Sequence, residues 1–279
     1  MNPLRSADLD SYLASPSEAE KQFRRLFRPG EPLVICDIGA CEGEDSVRYA
    51  RAFPLARVFS FEPLPVNQAL VRANFDRYAI ANAELVPLAL SDRSGEATFH
   101  VSSGRPPELF AGEDWNYGNK SSSLLAPAQT GPMHGWIEFN EAISVRTDTL
   151  DNYCARRGLD HIDFIQMDVQ GAEQLVLAGA VGMLPRITAI WLEVSTREFY
   201  RGQTLDRDLT RFMRRHGFSL AYETYRGRAE GEGDHLYVNR HHARSWPYLA
   251  ARGMQALFAR GRRLAGRAKR AVLSPIPPP

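Results

Sequence analysis

Cysteine is scarce in this 279-residue chain: Cys36, Cys41 and Cys154 are the only three. They form no CxxC pair and no His/Cys cluster with zinc spacing, so neither a disulfide scaffold nor a thiolate metal site is expected. A sparse, odd count fits a reducing compartment. No run approaches the roughly 18 apolar residues of a spanning helix. The opening stretch MNPLRSADLDSYL carries acids early and has no apolar core, so no signal peptide is expected. A formal net charge of +1 removes any whole-chain electrostatic case for nucleic acid. No internal repeat is present. These absences leave a soluble, cytoplasmic protein as the starting expectation, with the usual balance of 44% hydrophobic and 24% charged residues.

What is present is an alternation of strand and helix patterns. Residues 15–27 read as an entry helix with Ser15 as cap, Pro16 at the first position and Glu18 completing a capping box. Strands follow at LVICDI (33–38), ARVFSFE (56–62) and ELVPLAL (84–90). Between them lie helices at 44–53 and 66–79, the second with Leu70, Phe75 and Tyr78 inward. After a strand-like EATFHVS (96–102), residues 103–135 are rich in Gly, Pro, Ser and Asn, and a loop of that length reads as a lid over about 103–140. EAISVRT (141–147) and a capped helix at 149–158 follow. The alternation resumes with DFIQMDV (163–169), a helix over 172–184, TAIWLEV (188–194) and a helix over 205–217. FSLAYET (218–224) and HLYVNR (235–240) close the chain's ordered pattern as an antiparallel pair. The expected fold is α/β, a Rossmann-like doubly wound and mostly parallel sheet with that terminal antiparallel pair and a long lid insertion. The expected organisation is an N-terminal helical segment (1–30), the Rossmann-like domain (31–240) and a basic tail (241–279).

The first strand–turn–helix unit, VICDIGACEGEDSVRYARAF (34–53), carries the ligand argument. A dinucleotide fingerprint is G-x-G-x-x-G. Here Asp37, Gly39 and Gly43 stand instead, and Cys41 takes the place of the second fingerprint glycine. A carboxylate beside phosphates is repulsive, so the pattern suits a phosphate-free ligand bearing an amine or sulfonium, such as S-adenosylmethionine. Glu62 ends the second strand about twenty residues on, where a carboxylate accepts from both ribose hydroxyls. Ser91 and Asp92 end the expected third strand, where an acceptor suits an adenine amino group.

These stretches resemble the FkbM-type S-adenosylmethionine-dependent methyltransferases, within the class I Rossmann-like methyltransferases. The matching pieces run in the family's order over roughly residues 30–240: CDIGACEGEDS (36–46), FSFEPLPVNQALVRAN (59–74), VPLALSDRSGEATFHV (86–101), SSSLL (121–125), VRTDTLDNY (145–153), DFIQMDVQGAEQLVLAGA (163–180) and AIWLEVS (189–195). The resemblance implies O-methylation of a hydroxyl on a small molecule or glycan. It carries Asp37, Gly39 and Glu62 over as cofactor contacts, and Ala40, Gly43 and Pro63 stand in the same two motifs. Two positions depart from the family: Cys41 where Asn is usual, and Gln166 where Lys is usual.

Methyl transfer to a hydroxyl needs positioning, water exclusion and a base for the departing proton. Asp168, at the end of the strand expected beside the first, is the foremost base candidate. Glu173, in the first turn of the next helix, is a second, and His134 in the long loop a third. Glu193 ends the following strand and faces the same rim. Asp168, Glu173 and Glu193 have the oxygen chemistry for a divalent cation, but their spacing is not diagnostic and no metal is assigned.

From Trp246 onward no acid occurs, and seven basic residues lie between Arg252 and Arg270. Met254, Leu257, Phe258, Leu264, Ala268 and Val272 share one helical face, with Arg252, Arg263, Arg267 and Arg270 opposite. Such a helix suits an anionic membrane surface at the inner face, a partner, or this domain itself. The oligomeric state is open, a homo-oligomer included. The competing functional readings are a catalytically silent cofactor-fold module acting as a scaffold, which Gln166 keeps open, and a nicotinamide-dependent oxidoreductase, against which the missing glycine argues. A nucleic-acid methylase lacks both a basic stripe in the core and an Asn/Asp-Pro-Pro-aromatic motif.

Overall fold

The computed structural model describes residues 9–104, 117–128, 135–225, 231–251 and 253. His134, residues 226–230 and the basic tail beyond Ala251, Gly253 apart, lie outside the described residues, as does part of the expected lid.

Strands β1 (Val34–Ile38), β2 (Arg57–Phe61) and β3 (Ala83–Val86) alternate with helices α3 (Glu44–Ala52) and α4 (Pro65–Arg77), after the entry helices α1 (Leu9–Leu13) and α2 (Glu18–Leu26). Strands β7 (Ile162–Met167) and β8 (Ile187–Ser195) alternate with α6 (Glu173–Ala178) and α7 (Asp206–Arg215), before β9 (Phe218–Tyr225) and β10 (Glu232–Asn239). These strands form one sheet in the order β3-β2-β1-β7-β8-β10-β9. β10 runs antiparallel to both its neighbours, and the others are mutually parallel. The Rossmann-like fold is therefore as expected, with one refinement: the antiparallel strand is inserted between β8 and β9. Between the two halves stand β4 (Ala89–Leu90), β5 (Gly95–Ser103), β6 (Glu138–Asp148) and α5 (Leu150–Arg157); the three strands form a separate small sheet, β4-β6-β5.

Strand order reverses between β1 and β7. The chain leaves β1 toward β2 and β3 and returns to pair β7 on β1's other side, which opens a crevice at the strands' carboxyl ends.

Both faces of the sheet are buried, so strand residues alternate between two cores. Cys36, Ile38, Ile165 and Met167 pack toward Leu150, Val176 and Leu209. Ile35, Val58, Phe164 and Trp191 pack toward Phe23, Tyr49 and Phe53. The entry helix is thus a working layer of the core. Phe23 is fully buried, with its ring centroid 4.5 Å from those of both Phe53 and Phe164. Arg48 of α3 ties the same layer down: its guanidinium donates to Ser15 O and Tyr12 O, at 2.7 and 2.6 Å. Tyr248, in a helical stretch over 245–251, donates to Gln22 Oε1 at 2.7 Å and closes that face.

Four local expectations are corrected. The entry helix is capped by Ser17, whose hydroxyl accepts from Glu20 N, so it starts two residues later than the Ser15 cap implies. Glu20 pairs with Arg24 and Arg48. The stretch 84–90 is two strands in two sheets, parted at Pro87, which has no N–H for the ladder. The helix expected over 172–184 ends at Ala178, and the Gly179 that follows abuts another backbone, where a β-carbon would lie 2.0 Å from Ser91 O. The inward residues of α4 are Asn67, Leu70 and Val71, whereas Phe75 and Tyr78 are half-buried.

Phe23→Ala should destabilise the protein by about 3–5 kcal/mol, the usual result of emptying a buried aromatic site. Chemical denaturation measures it; a loss below about 1 kcal/mol would mean that the entry helix is not part of the cooperative unit.

Candidate active site

The crevice is set by how closely β1 and β7 approach. Gly39 adopts φ +86°, and a β-carbon there would sit 1.9 Å from Asp168 O, so only glycine fits. Asp168 N donates to Ile38 O at 3.0 Å, locking the two strand ends together. Gly39 N and Ala40 N both donate to Phe61 O at 3.0 Å, which brings in the end of β2. Cys41 follows at φ +50°, left-handed backbone that asparagine adopts with less strain. Its amide points at Glu62. Gly43, at φ +78°, is the N-cap of α3 and lies outside the pocket lining.

Two connected cavities open from this point. The first is a narrow slot of about 50 Å³, far smaller than the roughly 920 Å³ of the second. Its walls are apolar at Phe61, Leu88, Leu90, Phe99 and Leu124, with Glu62, Pro63 and Asn67 at one end. The second is a broad groove bordered by acids, including Asp37, Glu44, Asp45, Asp168 and Glu193, and by aromatic rings such as Trp136, Phe139, Trp191 and Tyr200. Gly39, Cys41, Lys120, Asp168 and Gln170 line both.

Glu62 is buried, and its carboxylate accepts from Cys41 N and Leu64 N, each at 2.8 Å. Burial pushes its pKa up to about 8, against the pull of those two amides and of Asn67. Asp37 is buried as well and accepts from Ser46 Oγ at 2.5 Å. Burial, and then the neighbouring Asp45, hold its carboxyl well above the ordinary range. Asp45 itself is pushed up to about 6 by burial, although Tyr12 donates to it at 2.8 Å. Among the described residues, the one cation lining both cavities is Lys120, ion-paired to Glu44. Desolvation pulls its pKa down, but Glu44 and then Cys41 more than offset this, so it stays charged.

Asp168 stands exposed at the junction of the cavities. Gln170, at φ +55°, donates from Nε2 to Asp168 Oδ1 at 2.7 Å and to Glu193 Oε2 at 3.2 Å, and its Oε1 accepts from Tyr200 at 2.9 Å. Glu173 faces elsewhere. Its Oε1 accepts from Val169 N and Gly171 N, at 3.3 and 3.2 Å, so it organises the turn behind Asp168. Burial, and then Asp168's charge, push it up to about 7. Among the described residues no group of three or more His, Cys, Asp or Glu is arranged to hold a metal ion.

Ser91 and Asp92 do not line either cavity. Ser91 is buried with its amide on Asp148 O, and Asp92 pairs with Arg93 at the surface. The wall they were expected to form is made by Leu88, Ala89 and Leu90, because the third strand ends at Val86 and the chain then turns away. The serine run 121–123 is a fastening: Ser123 Oγ donates to Gln170 O at 2.8 Å, and Ser122 Oγ accepts from Ser102 N at 2.9 Å. Gln166 accepts from buried Tyr49 at 3.0 Å. Residues missed from the sequence are Asn67, Asn119, Lys120 and Tyr200, all outside the Gly/Asp/Glu pattern of the strand ends.

A parallel sheet with a glycine-tight β1 turn, a buried acid at the end of β2 and an open carboxylate at the end of β7 defines a Rossmann-like methyltransferase. The family described as the methyltransferase FkbM domain matches residues 37–220, and the chain belongs to it. The 2-O-methyltransferase NoeI of Sinorhizobium fredii is 36% identical over 68% of this chain and 74% of its own length. The 31-O-demethyl-FK506 methyltransferase FkbM of Streptomyces tacrolimicus is 29% identical over 74% of this chain and 84% of its own. Among solved structures, the magnesium protoporphyrin IX methyltransferase of Synechocystis PCC 6803 aligns with 83% of this chain and 77% of its own at 15% identity, with a TM-score of 0.45. The methyl donor of the family is S-adenosylmethionine, and the residues present fit it: an apolar slot, a buried carboxylate and no phosphate-binding glycine cradle.

The buried carboxyl of Glu62 has a measurable consequence. Its folded pKa, near 8, exceeds its ordinary value of 4.5, so the folded state binds that proton more tightly. The contribution is whole below about pH 4.5 and is lost as pH rises through 8. Without ligand, Glu62→Gln should therefore lose less melting temperature than wild type between pH 5 and pH 8, by several degrees. Differential scanning calorimetry at the two pH values reads the difference; parallel curves would show that Glu62 is already ionised at pH 5.

Proposed function

We propose that this methyltransferase transfers the methyl group to a hydroxyl oxygen of a small molecule or glycan, with Asp168 as the base. The supporting observation is the placement of Asp168, an exposed carboxylate where a narrow apolar slot meets an acid-lined, aromatic-walled groove. S-adenosylmethionine supplies an electrophilic methyl group when bound. In this reading Glu62 takes ribose hydroxyls, Phe61, Pro63, Leu88 and Leu90 enclose the adenine, and Asp37 with the Gly39–Ala40 turn borders the methionine end.

The chain's own groups then do three things. Gln170 fixes Asp168 Oδ1 by a direct hydrogen bond, which holds the carboxylate toward the groove. Asp168 orients an acceptor hydroxyl and receives its proton. Trp136, Phe139, Trp191 and Tyr200 give the acceptor flat apolar surfaces and exclude water, which suits the faces of a sugar ring. The acids along the groove supply acceptors for hydroxyl donors. The segment over about 103–140 is proposed as a lid, because its described residues Lys120, Ser121, Pro127, Ala128 and Trp136 form one wall of the groove.

Asp168→Asn should lower kcat by about 10²-fold or more while leaving calorimetric binding of S-adenosylhomocysteine within about threefold of wild type. Unchanged turnover would remove Asp168 as base. Full binding with no turnover on any hydroxylated acceptor, in the wild type, would favour the silent-scaffold reading instead.

A further inference from the structure

Asn119 is buried, with 3% of its surface exposed, and borders the apolar cavity beside Glu62 and Asn67. Its amide nitrogen donates to Glu42 Oε1 at 3.1 Å and to Asn67 Oδ1 at 3.4 Å. Its amide oxygen has no hydrogen-bond partner among the described residues. A buried acceptor left unpaired is costly and calls for an occupant that donates.

The orientation of that oxygen is fixed by the groups around it. Asn67 donates from its amide to Glu62, and its oxygen receives Asn119 Nδ2. Glu42, at the other end, offers only acceptor atoms in its charged form. A chain of two amides between two carboxylates has one consistent arrangement, with each NH2 turned toward an acid or a carbonyl. Rotating Asn119 by half a turn would set its oxygen against Glu42. The free acceptor is therefore Oδ1 of Asn119, at the same end of the cavity as Glu62.

Asn119 is also held firmly. It sits in a short helical turn, Tyr117–Ser121, whose Gly118 lies so close to β5 that a β-carbon there would be 2.1 Å from Ser103 C. Ser102 Oγ donates to Gly118 O and accepts from Ser121 N, and Lys120 pairs with Glu44. Two residues that line one cavity thus carry acceptors, a carboxylate on Glu62 and an orphaned amide oxygen on Asn119. The complementary ligand group carries two adjacent O–H donors.

We propose that Asn119 Oδ1 is a second acceptor for the ribose diol of the adenosyl ligand, so that Glu62 and Asn119 divide the two hydroxyls between them. The inference rests on the reading that the adenosyl group occupies this cavity with its ribose at Glu62. It makes Asn119 a positioning residue: by holding the second ribose hydroxyl next to Glu62, it sets how far the rest of the ligand reaches toward Asp168. It also means that the inserted segment, and not the Rossmann core alone, completes the cofactor site.

Isothermal titration calorimetry on the full chain tests this with S-adenosylhomocysteine and its 2′-deoxy and 3′-deoxy analogues, on wild type and Asn119→Ala. In wild type, removing either hydroxyl should weaken binding by about tenfold or more. In Asn119→Ala the penalty for one of the two analogues should shrink to within about threefold of the parent compound, while the other penalty persists through Glu62. A merely structural asparagine would weaken all three ligands alike and leave both ratios unchanged, and that result overturns the inference while keeping the cofactor reading. No binding of S-adenosylhomocysteine to wild type overturns both. Should Asn119→Ala fail to fold, wild-type crystals soaked with S-adenosylhomocysteine decide it. An Asn119 Oδ1–ribose oxygen distance within about 3.2 Å supports the proposal, and separations beyond about 3.5 Å from both hydroxyls overturn it.

Discussion

The site depends on one close approach, that of Gly39 to the backbone of Asp168. With no room for a β-carbon at residue 39, the carboxyl ends of β1 and β7 are pinned together at the point where strand order reverses. Everything chemical hangs from that junction. The turn after Gly39 sends Ala40 to Phe61 and Cys41 to Glu62, and so places the acid of β2. The turn after Met167 sends Asp168 outward and Gln170 back across it, with Glu173 holding the loop amides from behind. A parallel sheet has such a crevice by topology alone. This chain narrows it with a glycine and then lines its two sides with carboxyls of different character.

That difference is electrostatic. Asp37, Glu62 and Glu173 are enclosed, and burial holds each above its ordinary range. Asp168 is exposed at the cavity junction. A buried carboxyl with few donors is unfavourable in the empty protein and becomes favourable when a ligand brings hydroxyls or a positive charge. In the proposed reading, the acid at the end of β2 favours a polyhydroxylated cationic ligand over a phosphate. Lys120, paired with Glu44 where the cavities meet, tempers the acidity there.

The core of this arrangement was legible in the sequence because strand ends are local. Asp37, Gly39 and Glu62 are read from one strand–turn–helix unit and the end of the next strand, and the alternation of elements predicts the parallel sheet. What was not legible involves chain segments far apart. The expected third strand failed at Pro87, so Ser91 packs against Asp148, Asp92 lies toward the surface, and the cavity wall falls to Leu88 and Leu90. The helix after Glu173 stopped at Ala178, and Gly179 then packs against Ser91 O, 88 positions earlier in sequence, where a side chain would not fit. Glu173 read as a candidate base from its position, whereas its partners turned out to be backbone amides of its own loop. Such contacts follow from packing, and no spacing rule reports them.

The same logic explains why the insertion contributes more than its composition suggests. A stretch rich in Gly, Pro, Ser and Asn reads as loop, since each of those residues favours turns for its own reason. Those properties are what let it lie close to the site. Gly118 permits backbone contact with β5, and the serines bond to backbone groups of β5 and of the turn after Asp168. These bonds satisfy polar groups of its described residues beside the cavity. Among the described residues of the segment, the buried amide oxygen without a partner is that of Asn119, which lines the same cavity as Glu62 and Asn67. Under the inference drawn above, a donor that arrives with the ligand satisfies that acceptor. A Rossmann core supplies acids at its strand tips; the insertion adds a neutral acceptor that does not raise the repulsion among them.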